Sequence, residues 1–185
     1  MTKLLSGEPM STAARNKMAM TYGLILGIIY IILVTLSNQF ATQLVLYGML
    51  KFAGYIVFLV ILGFMLANIR KANGGYIQFR EVLGAAFVIV LVSNVLSYTY
   101  TYLYIYVIDP GMTDRVKEAS MLAMEKAKLP DDRIDEAIDA IEKSKKFDLG
   151  KTVLGFFTVL LFDTFCSVIL SLIIKKERPV FEHLQ

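Results

Sequence analysis

Four long apolar blocks, separated by polar stretches, dominate the pattern of this chain and cover about residues 18–36, 44–69, 82–108 and 149–174. Each block reaches or approaches the ~20 apolar residues that a helix needs to cross ~30 Å of hydrocarbon, because a helix rises about 1.5 Å per residue. The pattern therefore predicts an all-α fold, an integral membrane four-helix bundle that forms a single domain over residues 1–185.

The first block has an alternative interpretation as a signal peptide, since it follows Arg15 and Lys17 near the N-terminus. The apolar region of a signal peptide has about 7–15 residues and leads to a small-residue cleavage site. This block is longer, and residues 38–41, which follow it, contain no A-x-A site. We expect a retained helix.

Alternating tyrosines occupy every second position from Tyr98 to Tyr106 at the end of the third block. Such period-two patterns of strand-favouring residues are typical of β-strands. The run nevertheless continues an apolar block without a break, and an isolated strand at membrane depth would leave its backbone polar groups unpaired. We expect a helix that reaches about residue 108, where Asp109-Pro110-Gly111 stops it.

The distribution of basic residues predicts the orientation, because loops rich in Lys and Arg stay in the cytoplasm. The N-terminus, the second connection and the C-terminus together carry nine basic and four acidic residues, a net charge of +5. The third connection, residues 109–148, carries eleven acidic and eight basic residues, a net charge of −3. We therefore expect cytoplasmic N- and C-termini and an extracytoplasmic 109–148 segment.

Residues 111–148 are polar but patterned, which predicts a helical extracytoplasmic insertion between helices 3 and 4. One helix would run from Thr113 or Asp114 to Lys128, and Pro130 would open a second, as proline does at a first helical position. Each helix has an apolar stripe. These stripes either form a docking surface for a partner or pack against each other and the bilayer rim. The stripe positions are Val116, Ala119, Ala123, Ala127, Ile134, Ala137, Ile138 and Ile141.

Composition limits the chemistry that the chain can carry. Hydrophobic residues make up 56% of the sequence, against about 45–50% in soluble proteins. One cysteine, Cys166, allows no internal disulfide, and one histidine, His183, allows no soft-metal cluster. No catalytic motif is present, so we expect no enzyme activity and no cofactor. The basic residues flank apolar blocks, which indicates contact with a lipid bilayer and not with nucleic acid.

Asp163 is the most informative single residue, because it lies near the middle of the fourth block. An ionisable residue there costs about 2.5–3.5 kcal/mol on insertion scales and usually faces the bundle interior and a partner. Counting from the outer helix ends, Lys51 lies roughly 11 Å deep and Asp163 roughly 20 Å deep, so the two could pair, or Lys51 could snorkel to the interface. Asn94 lies at a similar depth to Asp163. This polar set is either a proton or ion relay or a structural contact between helices.

Small residues mark helix faces that permit close backbone approach. Ala19, Gly23 and Gly27 recur at every fourth position of the first block and include a G-x-x-x-G motif. Ser93 and Ser97 have the same spacing in the third block. The motif fits packing within the chain at least as well as formation of a homo-oligomer.

The second connection reads Gly74-Gly75-Tyr76-Ile77-Gln78-Phe79-Arg80-Glu81. Together with Asp109-Pro110 and the run SLIIKK at residues 171–176, it resembles the bacterial DUF4199 family of unknown function over essentially the whole chain. The resemblance implies a bacterial cytoplasmic (inner) membrane and brings no activity or substrate.

The glycines of this connection permit a tight turn with positive φ. Gly74 and Gly75 would then place Tyr76 and Phe79 in the cytoplasmic interface, either as a structural turn or as a binding loop.

Two functional hypotheses follow from these features. The first is a non-enzymatic assembly or accessory protein that presents the extracytoplasmic helical hairpin to a second copy of itself or to a membrane partner protein. The alternative is a small transporter or ion- or proton-conducting protein that uses Asp163 with Lys51.

Overall fold

The structure, a computed structural model, describes residues 10–128, 130–145 and 148–177. His183 and the terminal charges Lys3 and Arg178 that enter the charge count lie outside the described residues. Within these ranges the chain is all-α, with six α-helices and one π-helical turn. The helices are α1 (Thr12–Asn38), α2 (Leu44–Ala72), α3 (Phe79–Leu103, continued by the π-turn Tyr104–Ile108), α4 (Met112–Lys126), α5 (Asp131–Lys145) and α6 (Leu149–Ile174).

Four of these helices have the length and composition of membrane spans. They are α1, α2, α3 with its π-turn, and α6, with 26 to 30 residues and mean hydropathies of 2.0 to 2.3 over an 18-residue window. Most side chains in these windows are not buried inside the protein, which suits helices that face lipid. The four spans predicted from the apolar blocks are confirmed, and α4 and α5 lie between spans three and four.

The tyrosine-rich end of α3 is helical as predicted, but its last five residues form a π-turn instead of an α-helix. The backbone N–H of Asp109 donates to the carbonyl oxygen of Tyr104 at 2.8 Å, five residues back. The turn positions ring pairs such as Tyr102 and Tyr106, whose centroids are 4.7 Å apart. Isolated π-turns of this kind interrupt α-helices without breaking their backbone bonding.

The small-residue face of α1 packs against α3 within the chain. A Cβ added to Gly23 would lie 2.7 Å from Val92 Cβ and 2.8 Å from the carbonyl oxygen of Ile89. One added to Gly27 would lie 3.2 Å from Ser93 Cα. Ala19 is fully buried on the same face. The two helices can approach this closely because these positions of α1 carry almost no side chain.

One end of the bundle, here called the loop end, brings together the start of α1, the α2–α3 turn and the end of α6. Gly74 and Gly75 adopt φ values of 78° and 86°, the left-handed conformation that glycine takes without strain. Ile77 and Lys176 exchange two backbone hydrogen bonds of 2.8 and 3.0 Å. These bonds tie the α2–α3 turn to the residues that follow α6.

Side chains reinforce the loop end. Arg15 at the start of α1 pairs with Glu81 at 2.6 Å, and Arg70 donates to the carbonyl oxygen of Ile174 at 3.0 Å. Asn73 accepts from the backbone N–H of Met10 at 2.7 Å. The loop end is therefore held by hydrogen bonds between segments that are distant in sequence.

The opposite end, here called the hairpin end, carries α4 and α5. Tyr104, Met112 and Ala41 form a small buried cluster, and Asp109 pairs with Arg115 of α4, a bond that raises the pKa of the Arg115 guanidinium. The bounds of α4 match the prediction to within two residues, and α5 begins directly after Pro130, as predicted.

The apolar stripes of the two hairpin helices are only partly covered. Val116, Ala119, Ala123, Ile134 and Ile138 are half-buried. Ala127 is exposed, Ala137 is half-buried, and the side chain of Ile141 lies outside the described residues.

Candidate functional site

A cavity of about 490 Å³ lies between the four spans. Each span contributes to its wall, through Tyr30 of α1, Lys51 of α2, Asn94 of α3 and Asp163 of α6. The rest of the wall is mostly apolar and aromatic. Volumes of about 300–1,000 Å³ with a few convergent polar groups are typical of sites for small molecules.

Asp163 lies at the inner end of this cavity and is only 2% exposed. Its Oδ1 accepts a hydrogen bond from the Tyr55 hydroxyl at 2.7 Å, and its Oδ2 accepts one from the Asn94 amide at 2.9 Å. A carboxylate has about four acceptor positions in total, so two hydrogen bonds leave it able to accept from a ligand. Helices α2, α3 and α6 thus converge on one carboxylate.

Lys51 lines the same cavity but does not contact Asp163. Its Nζ lies 5.1 Å from the centroid of the Tyr47 ring, one helical turn towards the hairpin end. Tyr55, one turn in the other direction on the same helix face, reaches the carboxylate instead. The direct ion pair that the depths permitted is therefore not made, because α2 places Lys51 one turn nearer the hairpin end than Tyr55, which takes the carboxylate.

Ser97 contributes a buried hydroxyl without a partner to the described wall. It is 7% exposed, and its hydroxyl makes no hydrogen bond. Other buried serines of the spans donate to backbone carbonyls of their own helix, as Ser93 does to Val90 at 3.0 Å and Ser167 to Asp163 at 2.8 Å. An unpartnered buried hydroxyl costs about 1–3 kcal/mol, so Ser97 is a group that a ligand or water would satisfy.

Four aromatic side chains, here called the ring cluster, surround the inner end of the cavity. Tyr55 stacks on Phe58 with centroids 6.0 Å apart and lies 5.9 Å from Phe162. Tyr30 meets Phe58 edge-on at 5.4 Å. The members of the ring cluster all line the cavity and are Tyr30, Tyr55, Phe58 and Phe162.

The cavity is blind on the side of the loop end. Beyond Asp163 on α6, Ser167 and Ser171 are completely buried. Leu66 of α2 and Ile89 of α3 are completely buried as well and belong to the main apolar core. Among the described residues, close packing therefore closes the bundle between Asp163 and the loop end.

A second, shallower cleft of about 670 Å³ lies at the loop end, on the connection that the sequence singled out. Tyr76 and Glu81 form part of its wall, and Phe79 begins α3 beside them. Lys176 Nζ lies 5.3 Å from the Tyr76 ring centroid. Asn73 and Glu81 of this cleft are bonded within the protein, to Met10 and Tyr76 and to Arg15 and Gln78. The structural turn and the binding loop both stay hypotheses for this connection.

The sequence identified Asp163, Asn94 and Lys51, and the structure places all three on one cavity. It did not identify Tyr55 or the ring cluster. A signal for Tyr55 was available, because it lies four positions after Lys51 in an otherwise apolar block and so shares its helix face. The ring cluster depends on which faces of three helices meet, which no local pattern reports.

The comparisons with known proteins give a family and no activity. The sequence model described as "Protein of unknown function (DUF4199)" matches residues 21–176. Neither the curated proteins nor the solved structures contain a match.

Proposed function

Since this chain belongs to the DUF4199 family, whose function is unknown, we propose a function from its site: a small membrane transporter that takes its substrate into the cavity ending at Asp163. One observation carries the proposal. A single buried carboxylate, held by Tyr55 and Asn94, lies at the blind end of a cavity of about 490 Å³ between the four spans. Ionisable groups at membrane depth are usually functional.

A carrier fits this geometry better than an open pore. A pore needs a continuous path, whereas this cavity ends against the close-packed Ser167 and Leu66 layer. A carrier binds its substrate near the bilayer midplane and exposes the site to one side at a time. Asp163 is the group that would bind and release a proton during this cycle.

The proposed orientation places the cavity mouth outside the cytoplasm. The net charge of +5 around the termini and second connection supports cytoplasmic termini, and the net charge of −3 over residues 109–148 supports an extracytoplasmic hairpin. The family resemblance to bacterial proteins supports the cytoplasmic membrane of a bacterium as the location. Substrate would then enter from the outer side.

Proteoliposomes that contain a pH-sensitive dye test this function. Small cations, amines and carboxylic acids are added outside one at a time, and a proton-coupled carrier changes the internal pH when its substrate is added. We expect Asp163→Asn to abolish the response. Asp148→Asn is the matched control, because Asp148 caps α6 outside the span and Asn caps equally well. If no compound gives a response that depends on Asp163, the transport function is wrong.

A second candidate is the assembly or accessory protein, with the hairpin helices as its docking surface. It is favoured by the half-covered stripes and by a groove of about 470 Å³ between α4 and the start of α2, where Leu122 is 51% exposed. The G-x-x-x-G face no longer supports it, because α3 occupies that face. Cross-linking in cells through Leu122→Cys, compared with the exposed Glu118→Cys, would recover a defined partner if this candidate is correct.

A further inference from the structure

The surroundings of Asp163 restrict the ligand that could bind there. The carboxylate is 2% exposed and receives its two hydrogen bonds from uncharged donors, Tyr55 and Asn94. No described cation pairs with it, since Lys51 lies against Tyr47. A buried carboxylate in apolar surroundings is costly unless a positive charge or a proton compensates it. A positively charged ligand would supply that compensation.

The ring cluster favours one kind of positive charge. In three of its ring pairs the two ring centroids are 5.4–6.0 Å apart, and these rings surround the same end of the cavity as Asp163. Aromatic faces attract cations through the ring quadrupole, and cages of such rings bind organic ammonium groups. A metal ion fits poorly, because hard cations take about six or more oxygen ligands and these walls are mostly hydrocarbon.

Ser97 provides an independent indication that the cavity takes a ligand. The residue lines the cavity and is buried to more than nine-tenths, and its hydroxyl has no hydrogen-bond partner. Ser97 lies three residues from Asn94, about one turn nearer the hairpin end. A ligand whose charged end reaches Asp163 would pass Ser97 with a group that can accept or donate a hydrogen bond.

We propose that the ligand is an organic ammonium compound with an apolar or aromatic body, bound with its charged group between Asp163 and the ring cluster. This proposal rests on the function proposed above and names its substrate class. Sugars fit poorly, because most of the cavity surface is apolar, and simple anions would meet the Asp163 carboxylate. The volume of about 490 Å³ accommodates a molecule of roughly drug size.

Lys51 has a definite effect under this proposal. Its helix position is about 10 Å nearer the hairpin end than that of Asp163, from the helix rise. At an effective dielectric of about 20, a like charge at that distance opposes a cation by roughly tenfold in affinity. Lys51→Gln should therefore strengthen the binding of a compound with one positive charge severalfold. A ligand with an acceptor group near Lys51 would not show this gain.

Calorimetry on the full chain in lipid nanodiscs tests the ligand class. The probe is benzyltrimethylammonium, and neopentylbenzene, its neutral equivalent in shape, is the comparison. We expect saturable binding of the cation alone, weakened at least about 30-fold by Asp163→Asn. Phe162→Leu should weaken binding about 2- to 30-fold. Phe165→Leu is the control, because Phe165 is exposed to nearly the same degree as Phe162, 64% against 57%, but does not line the cavity.

Thermal unfolding of each variant shows whether it is folded. If Asp163→Asn does not fold, the comparison of Phe162→Leu with Phe165→Leu still tests the proposal. Equal binding of the two probes, no binding of either, or unchanged binding in Phe162→Leu would overturn the ligand class. Binding of the cation without substrate-driven pH change in proteoliposomes would overturn transport and support the ligand class. Transport of a different class of compound, without binding of the ammonium probe, would support transport and overturn the ligand class.

Discussion

Substitution of Gly23 tests the contact between α1 and α3 most sharply. A Cβ at this position would lie 2.7 Å from Val92 Cβ and 2.8 Å from the backbone oxygen of Ile89. Favourable carbon contacts lie at about 3.5–4.0 Å, so Gly23→Ala must push the helices apart by roughly 1 Å. The backbone atom cannot turn away as a side chain could. Overpacking of this kind costs about 1–3 kcal/mol.

The matched control for Gly23→Ala is Gly48→Ala in α2, where an added Cβ would meet nothing within 4 Å. Both changes replace a helical glycine by a better helix former, so only the clash differs between them. Thermal unfolding in detergent can be followed with a thiol-reactive dye, because Cys166 is the only cysteine.

At about 2–4 °C per kcal/mol for a chain of this size, we expect the melting temperature of Gly23→Ala to fall roughly 2–12 °C below that of Gly48→Ala. Equal melting temperatures would refute the close contact. A change in the dimer fraction alone would show that the glycine face packs between chains.

Three further predictions concern single contacts. Tyr55→Phe removes the hydrogen bond to Asp163 and should lower stability by about 1–3 kcal/mol in detergent unfolding. Arg15→Gln and Glu81→Gln each break the ion pair at the loop end. In a double-mutant cycle, the losses of stability of the two single variants should add up to more than the loss of the double variant, because each single change leaves one charge unpaired. Gly75→Ala, at φ 86°, should cost about 1–2 kcal/mol through backbone strain alone, measured by the same unfolding assay.

Controls for these predictions come from the same helices or their neighbours. Tyr22→Phe tests the loss of a half-buried tyrosine hydroxyl away from the cavity. Gly84→Ala tests a helical glycine with open space around it. The Tyr55 contact would be contradicted if Tyr55→Phe lost no more stability than Tyr22→Phe. The ion pair would be contradicted if the effects of Arg15→Gln and Glu81→Gln were additive. The strain at position 75 would be contradicted if Gly75→Ala were as stable as Gly84→Ala.

The spans could be predicted from sequence because they depend on local composition. Twenty or so apolar residues in a row define a membrane helix wherever it packs, and the structure extends the predicted first span only at its ends, to Thr12–Asn38. The positive φ of Gly74 and Gly75 could be predicted as well, because it depends on the residue type at each position. The π-turn at Tyr104–Ile108 was not predicted, and its first residue packs against Ala41 and Met112, which are distant or beyond the helix in sequence.

The site was only half predictable, because it depends on how helix faces meet. Asp163 and Asn94 were identified from their cost at membrane depth, and they do hydrogen-bond. The sequence did not show that Lys51 fails to reach Asp163, because one helical turn decides whether Lys51 or Tyr55 contacts the carboxylate. Ser97 was assigned to packing with Ser93, whereas Ser93 packs beside Gly27 and Ser97 lines the cavity. The orientation in the membrane and the activity remain predictions.

The central claim is that a cavity open towards the hairpin end leads to Asp163, and cysteine accessibility at Ser97 tests it most directly. In a Cys166→Ser background, Ser97→Cys is treated with a membrane-impermeant thiol reagent from each side of the membrane in turn. Leu161→Cys, a lipid-facing position that is 70% exposed, is the control. We predict modification of Ser97→Cys from the hairpin side alone and faster than Leu161→Cys. A Ser97→Cys variant that reacts no faster than Leu161→Cys, or reacts only from the loop side, would contradict the account.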